Sequence, residues 1–253
     1  MTAHETQATS PRSRKAGDTR GTLIRAAERL FAVKGVDGAS LNEIKRAAGQ
    51  RNAMALQYHF GDRAGLLRAV LDKHLPAVDA RREVLLQQYE DSGDSDSDSD
   101  SDRGSGGDAD LRSLAAALVL PAAAKLADPD GGREFLQIVA ELLNRPEPLV
   151  EVVVTEESSI YPWRRLLEPL LTSESTAVFH TRFTAMRFCH AELAARAAAR
   201  PREDDRLFTS RLVDLVTALL AAPVSEQTAR LLRERNRTST ARAGRTSAAR
   251  TRP

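Results

Sequence analysis

An all-α fold is predicted for this chain, and three observations carry the expectation. Ala and Leu supply most of the apolar content, and both are strong helix formers. Runs of β-branched residues are scarce outside Val150–Thr155. Apolar residues recur at helical rather than strand spacing along most of the 253 residues. With 42% hydrophobic and 28% charged residues, the chain can bury a sizeable core. The single Cys189 excludes an internal disulfide framework and a cysteine-based zinc site, and neither cofactor nor metal is expected. Leu114–Ala124, the longest uncharged apolar stretch, is too short to span a bilayer, and MTAHETQATSPRSRK lacks the apolar run of a secretory signal. These features predict a cytoplasmic protein with no membrane partner.

Elements follow in chain order. Residues 1–17 are expected to be unstructured. Leu23, Ala27, Leu30 and Phe31 form an apolar stripe that starts near Asp18 or Thr19 and stops at Gly35. Ser40-Leu-Asn-Glu43 has capping-box spacing and opens a short helix ended by Gly49. A second short helix is expected over Asn52–His59. A further one begins after Asp62, and Pro76 should break or bend it before the pattern resumes to Tyr89. Glu90–Asp110 repeats Ser-Asp without a large apolar residue, so 91–110 is expected to be a disordered linker. It lacks the glycine and terminal glutamate of an EF-hand loop. Helices are then expected over Leu111–Ala127, Arg133–Asn144, Tyr161–Leu171, Glu174–Ala199 and Asp204–Ala222, with a short Arg-rich one from Ser225 to Arg235. The basic tail 236–253 shows no periodicity.

Charge is segregated. Residues 1–75 hold thirteen Lys and Arg against seven Asp and Glu, while 90–110 hold nine acids against Arg103. Residues 230–253 hold eight Arg against Glu234. A basic N-terminal module on a neutral-to-acidic body points to a polyanionic partner for the first part. Two short helices joined by a tight turn at Gly49 fit a helix-turn-helix, which places its second helix in the DNA major groove.

Thr22 to Leu71, TLIRAAERLFAVKGVDGASLNEIKRAAGQRNAMALQYHFGDRAGLLRAVL, resembles the TetR family of bacterial transcriptional regulators. The matching features are AAERLFAVKG at the end of the first helix, the G-x-x-x-x-S/T-L-x-x-I-x-x-A-A-G of the second, and YHFGDRAGLL. The resemblance covers about a fifth of the chain. It implies an N-terminal operator-binding domain over 18–75 and a C-terminal ligand-sensing and dimerisation domain over 76–235, in a non-enzymatic homodimer. Departures are visible. The chain has one residue more than the family pattern between Gly49 and Phe60, Gln57 takes the family's tyrosine position, and Arg63 takes its lysine position.

Side-chain chemistry then assigns roles. Gln50, Arg51 and Asn52 are candidates for base edges, Arg for guanine and the amides for adenine, with Asn52 as a helix cap the alternative. Met54 or Ala55 suits a thymine methyl. Gln57, Tyr58, His59 and Arg63 suit phosphate oxygens, although His59 could equally bond its own backbone. Thr19 and Arg20 open a helix whose amides could receive a phosphate, and Ser40 belongs to the same candidate surface. Phe135, Tyr161, Trp163, Phe179, Phe183 and Met186 are candidates for an effector pocket, with plain core packing the competing reading. Leu212, Leu215 and Leu219 are expected in a dimer interface. His180, Cys189 and His190 lack metal-ligand spacing. The expected partners are operator DNA, a second copy and a small-molecule effector. The alternatives are an activator or DNA binder whose C-terminal bundle only dimerises, and a helical small-molecule-binding or enzymatic domain.

Overall fold

The computed structural model describes residues 11–52, 54–95, 106–147, 149–180, 183–199 and 204–250. The fold is all-α, with twelve α-helices and no strand among the described residues. Three make the N-terminal module: α1 (Pro11–Lys34), α2 (Leu41–Ala47) and α3 (Ala55–Phe60). The long α4 (Arg63–Ser95) leads into the body. There α5 (Gly106–Ala123) and α6 (Gly132–Asn144) are followed by the short α7 (Val150–Val153), α8 (Ile160–Leu167) and α9 (Ser173–Ser175). The chain closes with α10 (Thr184–Ala198), α11 (Arg206–Ala221) and α12 (Glu226–Arg250).

Helix α6 is the centre. It buries Phe135, Leu136, Ile138, Val139, Leu142 and Leu143, spacing that fills two faces rather than one stripe. The two faces are needed because α6 packs on α10 as well as on α1 and α4. On the far side, α5 lies between α4 and α11 and buries Leu111, Leu114, Leu118 and Val119. Each such side chain contributes about 1.5–3 kcal/mol relative to exposure.

Pro121 inside α5 supplies no amide hydrogen, so the Ala117 carbonyl four residues earlier loses its helical donor. Arg82 of α4 replaces it. Its Nε donates to Ala117 O at 3.2 Å, while its Nη1 reaches Ser159 Oγ at 2.7 Å and Asp79 Oδ1 at 3.2 Å. The guanidinium is 4% exposed, and burial pulls its proton affinity down against the opposing pull of Asp79. A buried charge is tolerated there because its Nε and Nη1 both meet acceptors, one of them the Asp79 carboxylate.

Several expected boundaries are corrected. α1 begins at Pro11, inside the expected unstructured 1–17, because proline suits a first helical turn and Arg, Lys and Ala follow; residues 1–10 lie outside the described set. Pro76 neither ends nor splits α4: Asp72, four residues back, is exposed, so water can take the carbonyl that the proline leaves unpaired. α4 therefore runs through the expected domain boundary at 75/76. Of the expected linker, 91–95 continue α4 and 106–110 open α5, while 96–105 lie outside the described residues. Val150–Val153 is a helical turn with Val153 buried. The expected single helix Glu174–Ala199 is divided into α9, a π-turn over Thr176–His180, and α10, with Phe183 at φ 53° at the start of α10. α12 continues through most of the tail to Arg250, consistent with its Arg and Ala content.

Candidate nucleic-acid interface

Local polar bonds build both ends of α2 and the turn to α3. Ser40 Oγ accepts from Glu43 N at 3.2 Å and Glu43 Oε2 accepts from Ser40 N at 3.0 Å, a complete capping box. Lys34 Nζ reaches Glu43 Oε1 at 2.6 Å, and this bond with the Ser40 contacts holds the carboxyl down at about 2. The Ser40 hydroxyl is thus used inside the motif. Gly49 takes φ 65°, a left-handed conformation that ends α2, and Gln50 N donates back to Lys45 O at 3.0 Å. Asn52 Oδ1 then accepts from Met54 N at 2.9 Å, a local turn that delays the next helix to Ala55.

That delay corrects the expected helix Asn52–His59. Gln50, Arg51 and Asn52 lie in the turn, with Arg51 and Asn52 exposed and Gln50 half-buried. Met54 is 58% and Tyr58 82% exposed, and Gln57 is exposed beside them. Ala55 is buried with Leu56, so it cannot meet a thymine methyl. His59 is half-buried, with its ring edge-on to Tyr58 at 5.1 Å. Arg20 is exposed with its guanidinium over the Phe60 ring at 5.5 Å, which joins the start of α1 to the end of α3; Thr19 is half-buried. Arg63 is corrected: its Nη1 donates to Val36 O and, at 2.5 Å, to Ala39 O, so it clamps the α1–α2 loop. The outward set is therefore Arg20, Arg51, Asn52, Met54, Gln57 and Tyr58: donors and cations together with one thioether and one phenol.

Two polar joints fasten this module to the body, and neither was expected from the sequence. At the first, Glu28 of α1 is 2% exposed and accepts from Lys73 Nζ at 3.0 and 3.1 Å and from His74 Nε2 at 2.9 Å. Lys73 also reaches Asp130 at 3.0 Å, and His74 Nδ1 lies 3.7 Å from Asp128. Lys125 Nζ donates to Asp128 at 3.0 Å and Asp130 N donates to Asp128 Oδ1 at 2.9 Å; against burial, which raises it, these bonds hold the Asp128 carboxyl below its ordinary range. Gly131, at φ 86°, passes so close that a Cβ there would lie 2.5 Å from Glu28 Oε2. At the second joint, Glu141 of α6 accepts from Val36 N at 3.0 Å, and Arg145 bridges Glu141 at 2.6 Å and Asp37 at 3.0 Å. Glu141 is thus bonded to the α1–α2 loop that Arg63 clamps.

The candidate pocket residues separate. Trp163, Phe183 and Met186 border one small cavity of about 30 Å³ with Leu167, Leu171 and His180. His180 Nε2 is buried there without a partner, and burial lowers its proton affinity. Phe135 is elsewhere, its ring 4.8 Å from His74 at the first joint. Tyr161 is 48% exposed, and Phe179 does not border the cavity. A wider open groove of about 720 Å³ runs between α4, α5 and α11 past Val84, Leu120 and Val213. Leu212 is buried in the protomer's own core at 1% exposure, Leu215 is 42% exposed and Leu219 is half-buried. No group of three His, Cys, Asp or Glu that could hold a metal occurs among the described residues, and none of their helices alone is long and apolar enough to cross a membrane.

A capped α2, a glycine turn and an exposed α3 define a helix-turn-helix DNA-binding module. Residues 23–70 match the family model for bacterial regulatory proteins of the tetR family, which covers the segment that holds this module. No curated protein matches the chain by sequence. Among solved structures, a mutant of HlyIIR is 16% identical over 87% of this chain and 100% of that one, with a TM-score of 0.47. NalD, the secondary repressor of the MexAB-OprM multidrug efflux pump in Pseudomonas aeruginosa, is 22% identical over 80% and 95%, with a TM-score of 0.41. A gamma-butyrolactone receptor described as ArpA-like is 20% identical over 83% and 100%, with a TM-score of 0.37.

Proposed function

We propose that the protein is a homodimeric, ligand-responsive repressor, acting in the cytoplasm on a near-palindromic operator. The observation that carries the reading is the outward set on the turn and α3, held by two polar joints to the body. Arg51 and Asn52 offer the donors that read guanine and adenine edges, while Tyr58 and Arg20 offer donors to phosphates. Residues 18–75 form the reading head and 76–235 the regulatory body, with α4 shared between them. The body binds rather than catalyses. Its dimer face is the exposed side of α11, with Leu207 and Leu215, beside exposed Ala191, Ala195 and Ala198 of α10.

Repression by occlusion with relief by an effector supplies a role for the joints. A ligand that wedges open the Trp163–Phe183–Met186 cavity would move α10 against α6, and α6 carries Glu141, with Arg145 just past its end, at the second joint. The test is titration of the dimer onto duplex from upstream of its own reading frame, followed by a metabolite screen for release. Protection of two half-sites with centres one helical turn, or a multiple of it, apart is expected. Operator binding that no metabolite alters would leave the bundle with dimerisation alone.

A further inference from the structure

Helix α12 has no part in the repressor scheme of head, joints and body. Its 25 residues carry seven arginines, no lysine and only Glu226 and Glu234 as acids. At 1.5 Å per residue it is about 37 Å long. It rests on the body through buried Ala229 and half-buried Thr228 and Leu232, while Arg230, Arg233, Arg235 and Arg237 are all exposed. Arg233 lies 3.6 Å from Glu174; no carboxylate among the described residues pairs with Arg230, Arg235 or Arg237. By helical register Arg230, Arg233 and Arg237 share one side, away from Leu232, with Glu234 beside them. Arg242, Arg245 and Arg250 follow in the sequence.

We propose that α12 is a second nucleic-acid-binding element, an arginine arm that holds duplex DNA by its phosphates without reading sequence. The proposal rests on the chain being a DNA-binding regulator, and it adds a contact outside the operator half-site. α12 leaves the body at the end remote from the reading head: Pro223 and Val224 border Gly107 and Leu111 at the start of α5, whereas the first joint lies at the other end of α5, around Lys125–Gly131. DNA held there is a stretch other than the half-site under α3. Guanidinium groups suit phosphate because they donate in a planar fork and keep their charge. A membrane surface fits poorly, since Leu231 is the single exposed large apolar residue of α12 among those described and no apolar face opposes the arginines. Single-stranded RNA fits poorly as well, because α12 offers no aromatic ring for base stacking.

The experiment is a salt titration of the full-length protein binding a random-sequence duplex of about four helical turns. The arm variant combines Arg230→Gln, Arg235→Gln, Arg237→Gln, Arg242→Gln and Arg245→Gln, and a control replaces the same five by Lys. A head variant combines Arg51→Gln and Tyr58→Phe. The slope of log affinity against log salt should become shallower by about 2–4 units in the arm variant, at about 0.9 for each phosphate no longer neutralised. The lysine control should keep the wild-type slope, and the head variant should weaken binding independently. An arm variant with the wild-type slope, beside a weakened head variant, overturns the arm and leaves the DNA-binding reading intact. Wild-type protein that binds no duplex overturns both. Arm-dependent binding to phosphatidylglycerol vesicles with no arm dependence on duplex overturns the proposal in favour of a membrane.

Discussion

Glu28 Oε1 lies 2.9 Å from His74 Nε2, with both side chains sealed from water at 2% and 1% exposure. A carboxylate only accepts, so the histidine nitrogen facing it carries the proton. Lys73 completes the shell of Glu28, and Gly131 leaves no room for a Cβ on that side. Removing Glu28 would strand the buried His74 ring and leave half-buried Lys73 with Asp130 alone. Glu28→Ala should therefore cost about 3–5 kcal/mol of stability, the range for breaking one partner out of a buried pair. Asp130→Asn, at the exposed rim of the same network, should cost less than about 1 kcal/mol. Urea denaturation followed by circular dichroism measures both. A Glu28→Ala loss no larger than the Asp130→Asn loss would show the joint to be wet and weak.

Arg63 is the residue whose chemistry suggests DNA and whose geometry points inward. Its guanidinium bonds two carbonyls of the α1–α2 loop, Val36 O and Ala39 O. Arg63→Ala should lower stability by roughly 1.5–3 kcal/mol, as for removal of a hydrogen bond to a charged group. The salt slope of DNA binding should stay unchanged once the folded fraction is held constant. A slope reduced by about 0.9 would return Arg63 to the phosphate contacts.

The legible parts of this molecule are the local ones. Ser40 and Glu43 sit three residues apart, and the capping box forms as their spacing predicts. Gly35 and Gly49 stop helices with positive φ because only local backbone geometry is involved. The start of α3 departs from its expected place for a local reason too: Asn52 turns back on Met54 N instead of capping a helix at its own position. The two joints left no trace in periodicity. Glu28 meets His74 across 46 residues and Glu141 meets Val36 across 105, so no pattern along the chain links them. The break between α9 and α10 likewise leaves no sequence mark, since a π-turn uses the same residues as an α-helix. Aromatic content alone could not sort the pocket, because Phe135, Tyr161 and Trp163 differ in burial partners rather than in type.

Arg82 and Pro121 should be energetically coupled. The proline removes the donor for Ala117 O, and Arg82 Nε supplies the replacement. Arg82→Leu should destabilise strongly, by about 3–5 kcal/mol, since Ala117 O and Asp79 both lose a buried donor. Pro121→Ala restores the helical amide, so the double variant should recover part of that loss. A double-mutant cycle by chemical denaturation should give a coupling of about 0.5–3 kcal/mol. Additive losses would show that water or another group already serves Ala117 O.

His190 makes stability sensitive to mild acid. Burial pushes its pKa from 6.5 down to about 4, against the opposing bond to Met186 O. The folded protein keeps the ring neutral while the unfolded chain takes up a proton below pH 6.5. Its contribution is therefore full above pH 6.5 and is lost progressively as pH falls toward 4. The loss approaches about 3 kcal/mol, following the linkage between proton uptake and unfolding. His190→Gln carries no titrating group, so the difference in stability between the two proteins should vanish or reverse as pH is lowered through this window. Parallel curves for wild type and variant would show that the ring protonates in place.

Three of the leucines of α11 should separate a dimer face from a core. Leu212 is 1% exposed and packed within one protomer, while Leu215 is 42% and Leu207 84% exposed. An exposed leucine on a helix flanked by the alanines of α10 presents a flat apolar strip, which a second copy can cover by symmetry. Leu207→Glu with Leu215→Glu should give a folded monomer with little change in melting behaviour at low concentration, and it should lose the affinity gained by engaging two half-sites together. Leu212→Ala should instead cost about 2–5 kcal/mol through the cavity it leaves, with association unaffected in the protein that remains folded. Sedimentation velocity and thermal melts distinguish the two. A double glutamate variant that sediments as a dimer would move the interface off this face of α11, with the open groove between α4, α5 and α11 the next surface to mutate.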